Sequence, residues 1–148
     1  MAATLGKGAK VSDELDTIIE AVLRGAAKIL GCTSATLIVF DEVARHVRLR
    51  VGAVSESADP LGEAEGIIGE LTSLTCSFEQ VADSFVFASW HDRTPLETPS
   101  LVELVGSAMP RDAVEPVQRM IGDYRFACIP ALAGSRCYGI IVFTKPGR

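Results

Sequence analysis

The stretch RFACIPALAGSRCYGIIVFT, Arg125–Thr144, decides how this chain is read. Arg125 to Leu132 is small and apolar with β-branched character, and Cys137 to Thr144 is a second run of the same kind. Between them Ala133-Gly-Ser-Arg136 supplies a turn, so the pair reads as an antiparallel hairpin. Pro130 has no N–H to give a ladder, so it marks an edge position or a bulge.

Working outward, the first half of the chain holds a second pair. Ala35 to Phe40 is apolar on both faces and reads as a central strand. His46 to Val54 alternates: Val47, Leu49 and Val51 are set to face one way and His46, Arg48 and Arg50 the other. Ahead of both runs a helix from Ser12 to Leu30. Ser12 is placed to cap it, with Asp13, Glu14 and Asp16 at the positive end of its dipole. Leu15, Ile18, Ile19, Val22, Leu23, Ala26, Ile29 and Leu30 recur at spacings of three and four, and Gly31 closes the helix. Residues 1–11 read as a flexible leader, and 12–145 as a single domain.

The middle is less regular. Residues 55–66 read as loop, and Glu65 to Asp83 as a weak helix around Ile67, Ile68, Leu71, Leu74 and Phe78. Phe85, Phe87 and Ser89 alternate with Val86 and Ala88, which predicts a third strand ending near Trp90-His91-Asp92. After a loop marked by Pro95 and Pro99 come two short helices. One spans Ser100 to Gly106; the other is capped by Asp112 and runs to Ile121, with Pro116 in its first turn. The plan is α+β: an antiparallel sheet of five or six strands, with the long helix on one face and short helices and loops on the other.

Composition narrows the function. The 148 residues carry a net charge of −5, and 48% are hydrophobic. The acidic balance argues against a nucleic-acid partner. No run of about 18 apolar residues is present to span a membrane, and no secretory signal opens the chain, so the expected location is the cytoplasm. Cys32, Cys76, Cys128 and Cys137 show no paired metal spacing, and they read as reduced, mostly buried thiols rather than a disulfide or metal set. No nucleophile-elbow, zinc-helix or phosphate-loop motif occurs, and His91-Asp92 adjacency does not make a catalytic dyad. The sequence names no cofactor and no metal.

The closing residues Ala127-Cys-Ile-Pro-Ala-Leu132, Gly134 and Tyr138-Gly-Ile-Ile-Val-Phe143 resemble the signature of the GAF domain family. The opening helix, Leu30-Gly31-Cys32, the strand Ala35 to Phe40 with Asp41, and Glu65-Gly-Ile-Ile-Gly69 are similar to the family as well. The profilin- and PAS-like folds belong to the same wider class. The resemblance implies a regulatory, sensory domain that binds a small molecule or dimerises and controls an output domain, such as a histidine kinase, a cyclase or phosphodiesterase, or a transcription regulator. The chain departs from two ligand classes of the family: it has no Asn for the cyclic-nucleotide pattern and no Cys-His pair for bilin attachment.

The residues expected to line a ligand pocket are Phe85, Phe87, Trp90 and His91 from the aromatic stretch, Leu104, Val117, Met120 and Ile121 from the two short helices, and Cys128 from the sheet. Ordinary core packing is the competing use of the same side chains. The stripe at 15, 18/19, 22, 26 and 29 approaches heptad spacing over less than three heptads, and it is read as divided between core contact and the seam of a homodimer through the first helix, with wholly core packing as the competing use. Three rivals stand beside this reading: a dimerisation module with a filled core and no ligand, a small enzyme using His91 or a cysteine, and a related PAS- or profilin-like fold.

Overall fold

The computed structural model describes residues 2–54, 75–121 and 123–147; side chains are described from Glu14 onward, except at Met120 and Ile121. Six strands form one sheet: β1 (Ser34–Asp41), β2 (His46–Val54), β3 (Thr75–Ser77), β4 (Leu96–Thr98), β5 (Tyr124–Ala133) and β6 (Arg136–Pro146). Their order is β3-β2-β1-β6-β5-β4, with every neighbouring pair antiparallel. The two hairpins read from sequence, β1–β2 and β5–β6, meet along β1–β6 at the centre. The three-residue strands β3 and β4 only edge the sheet, and both fall in stretches expected as loop or weak helix. Pro130 lies past the last β5 residue paired to β4, and a register shift follows at Ala131/Leu132, so its missing N–H breaks no β4–β5 bond.

Helix α1 spans Ala2–Ile29. Its backbone is therefore helical through the residues expected as a leader; alanines are strong helix formers and no proline interrupts them. The side chain of Ser12, and with it the expected cap, lies outside the described residues. At the other end Gly31 takes φ +69°, and Cys32 N–H returns to the Ala27 carbonyl at 2.7 Å, the closure expected there. Leu23, Ala27, Cys32, Ala35, Val51 and Ala53 form the core between α1 and the sheet.

The other face is roofed by α2 (Phe78–Val81), α3 (Phe85–Asp92), α4 (Leu101–Val105), a 3-10 turn (Gly106–Ala108) and α5 (Arg111–Ile121). Pro116 sits inside α5 rather than in its first turn, and Asp112 is in the first turn rather than at the cap. The weak helix expected over residues 65–83 lies mostly outside the described residues, as does the glycine-containing stretch 65–69.

Two expectations are corrected here. The third strand predicted at Phe85–Ser89 is the helix α3. Ser84 caps it, accepting from Phe87 N–H at 3.0 Å, and Arg93 closes it in the left-handed conformation at φ 53°. The alternation along β2 is also broken. A register shift opposite Leu37/Ile38 inserts Arg50, so Val47 joins the roof core while Val51 joins the α1 core. The inserted Arg50 reaches Asp16 of α1 at 2.8 Å.

Candidate functional site

The roof is built from short capped helices, and the caps aim its aromatics. Ser77 and Gln80 exchange side-chain and backbone bonds at 2.8 and 3.2 Å, a capping box that starts α2 with Phe78 pointing at the sheet. Ser84 then starts α3 and also donates to the Val81 carbonyl at 2.6 Å, tying the two helices together. One turn into α3, Trp90 lies flat on Phe40 of β1, with centroids 4.5 Å apart and planes 8° apart. Phe78 and Phe87 meet the indole at 5.3 and 5.6 Å and complete a four-ring cluster. The indole N–H donates to the Cys137 carbonyl at 3.2 Å, so its polar atom is satisfied.

Beneath α3, Ser89 is fully buried. Its hydroxyl donates to the Thr94 carbonyl at 2.7 Å and leans toward the Cys128 carbonyl at 3.4 Å. Ser89→Ala is expected to cost about 1–2 kcal/mol, because the Thr94 carbonyl loses its buried donor. Urea unfolding checks this: the midpoint should fall while the slope stays unchanged.

The structure draws the expected pocket residues only partly together. Phe85, Phe87, Trp90, Leu104 and Cys128 all pack into one roof-side core with Phe40, Phe78, Val81, Phe126 and Ile140. His91 is exposed at the end of α3, stacked on Phe87 and 3.0 Å from Asp92. Val117 is half-buried and is not among the residues packed into that core. The side chains of Met120 and Ile121 lie outside the described residues. Phe40 and Phe78 escaped the sequence reading. For Phe78 the serine three residues before Gln80 was a local signal, since it makes Phe78 the first residue of a helix; for Phe40 the local sequence held none.

A concavity opens on the outside of the roof. It is a cleft of about 390 Å³ lined by Asp83, Val102, Glu103, Gly106, Ser107, Met109, Pro110 and Arg111. Ser107 binds Asp83 twice, through its N–H at 2.8 Å and through its hydroxyl. Those bonds, the hydroxyl's first, hold the Asp83 carboxyl below its ordinary pKa. Gly106 takes φ +55°, and a Cβ there would overlap Asp83 and the Ser84 backbone nitrogen, so only glycine lets the two segments touch.

Among the described residues no three His, Cys, Asp or Glu side chains cluster to hold a metal ion. All four cysteines are free thiols. Burial pushes Cys128 up to about 12, which keeps it protonated and non-nucleophilic at neutral pH. On α1, Leu15, Ile18, Val22 and Ile29 are 44%, 61%, 64% and 85% exposed, a row of large apolar side chains turned away from the core. No helix among the described residues is long and apolar enough to cross a membrane.

No protein-family model and no curated protein matches the sequence. Solved structures do match the fold. The GAF domain/HD domain protein from Geobacter sulfurreducens is 10% identical, with a TM-score of 0.61 over 89% of this chain and 74% of that one. The GAF domain of a phosphoenolpyruvate-protein phosphotransferase from Coxiella burnetii is 16% identical, with a TM-score of 0.60 over 90% and 69%. A Staphylococcus aureus NreA protein, mutated in its nitrate-binding site, is 10% identical, with a TM-score of 0.59 over 93% and 90%.

Proposed function

We propose that this domain, which has the GAF fold, is a regulatory module that pairs with a second copy through α1 and controls an output domain. The observation that carries the reading is the exposed row Leu15, Ile18, Val22 and Ile29. Four large apolar side chains at spacings of three, four and seven along one helix are costly to leave in water and suit a helical seam. The output would be a kinase, a cyclase or phosphodiesterase, or a transcription regulator, switched by a change in how the two copies pack. Four unpaired thiols suit a reducing compartment, so the proposed location is the cytoplasm. No catalytic role is proposed: His91 is exposed, with Asp92 and Phe87 beside it among the described residues, and Cys128 is held protonated.

Small-molecule binding under the roof is the second reading. The aromatic stretch expected to line a pocket does face the sheet there, and one neighbour in fold, NreA, has a nitrate-binding site. Within the described residues Trp90 and Phe40 already stack on each other, so a ligand at that point would have to part them.

Light scattering on the purified chain tests the main reading. The wild type should be a dimer at micromolar concentration, and Val22→Glu should be a folded monomer. A wild type that stays monomeric would overturn it. A thermal-shift screen with nucleotides, haem, bilins and metabolites tests the second: a ligand that binds only the native state raises the melting temperature, and the rise keeps growing as its concentration passes the Kd. No shift across the screen counts against it.

A further inference from the structure

The cleft on the outside of the roof holds charges of both signs that do not meet. Asp83 and Glu103 bring two carboxylates to it, and Arg111 brings one guanidinium. Among the described residues Arg111 makes no ion pair with either carboxylate, nor with Glu115 four residues on along α5.

The two carboxylates are anchored by other neighbours. Asp83 accepts from both the N–H and the hydroxyl of Ser107, a contact that the bare Cα of Gly106 makes room for. Glu103 Oε2 accepts at 2.7 Å from the hydroxyl of Thr98, which is buried, and Oε1 has no partner among the described residues. Each carboxylate oxygen carries two lone pairs, so both anchored groups keep acceptor sites to offer. The acceptors are thus fixed in advance, while the guanidinium lining the same cleft keeps all its donors. Between the charges the wall is apolar, formed by Val102, Met109 and Pro110. The volume of about 390 Å³ falls within the range of small-molecule sites, roughly 300–1,000 Å³.

We infer that this cleft binds a small zwitterion of the free amino-acid class. Its carboxylate pairs with Arg111, whose planar donors match a carboxylate two by two. Its ammonium takes the remaining acceptor sites of Asp83 and Glu103, and its side chain lies along Val102 and Met109. One small cleft can be bridged only when both charges sit a few atoms apart. A free amino acid meets that condition, and the end of a peptide, which carries one of the two charges, does not. The lining holds two negative groups against one positive, so basic and neutral ligands are favoured over acidic ones. None of the lining residues belongs to the roof-side core, so this site is independent of ligand binding under the roof and of pairing through α1.

Amide spectra of the isotope-labelled full chain, titrated with each of the common amino acids at millimolar concentration, test the inference. At least one basic or neutral amino acid should move the Ser107 and Arg111 amides and leave the Trp90 indole N–H in place, and glutamate and aspartate should bind more weakly. For the amino acid that binds, its carboxamide and its N-acetyl derivative, each lacking one charge, should lose about tenfold or more in affinity. Arg111→Gln should lose as much, and so should Glu103→Gln, which keeps an acceptor for Thr98. No amide shift with any amino acid, or affinity unchanged by Arg111→Gln and by the blocked derivatives, would overturn the site. Shifts centred on the Trp90 indole would overturn it as well and favour binding under the roof.

Discussion

Gly139→Ala is expected to be the most damaging single-methyl change in this domain. Gly139 is paired with Val39 across the β1–β6 seam. A Cβ there would overlap the carbonyl oxygen of Ile38 and come within 3.2 Å of Val39 Cα. Both obstacles are backbone in the central strand, so no side chain can swing aside; β1 itself must move, and β1 is bonded on both edges. Overpacking of a rigid core costs about 1–3 kcal/mol, and a clash against backbone belongs at or above the top of that range. With a stability of about 5–15 kcal/mol for a domain of this kind, the loss is a large fraction of the whole. Calorimetry should show a melting temperature lower by roughly 6–12 °C. A variant that melts with the wild type would mean that the strands are further apart at this point than described.

The second large effect is expected at Trp90. Trp90→Ala removes the ring that touches Phe40, Phe78 and Phe87, and it strips the Cys137 carbonyl of its indole donor. Truncations of this size in a packed core cost about 3–5 kcal/mol. Trp90→Phe keeps an aromatic over Phe40 but loses the hydrogen bond, and should cost nearer 1 kcal/mol. The gap between the two variants in urea unfolding separates packing from hydrogen bonding. Equal losses would show that the bond to Cys137, not the stack, holds the roof.

What could be read from the sequence follows from the range of the forces involved. The β5–β6 hairpin was legible because its alternation and its Ala133–Arg136 turn are local, and the α1 stripe because helical spacing is local too. α3 was not. Phe85-Val-Phe-Ala-Ser89 alternates large and small like a strand, while the outcome is decided at its ends by Ser84 and Arg93. β3 and β4 are three residues each and owe their extended shape to partners far along the chain, Arg48 with Thr75 and Leu96 with Cys128. The insertion of Arg50 into β2 leaves no trace in composition, yet it turns Val47 and Val51 to opposite faces. For the site, residue type found the aromatics of α3 but not their partners, since Phe40 and Phe78 reach Trp90 only through the tertiary fold. His91 was placed with them by adjacency alone, and one step along a helix carries it into solvent.

The central seam also has a kinetic meaning. Each hairpin is a local unit that can form on a microsecond scale. Joining them requires β1 to find β6, with Ile38 meeting Ile140 near the far end of the chain. Loop closure over that span must be met before the pairing returns anything, so the seam is expected to set the folding rate and to place this domain among the slower folders of its size. Until it closes, β1 and β6 each present a bare, apolar edge, which is the moment at which the nascent chain is most exposed to aggregation.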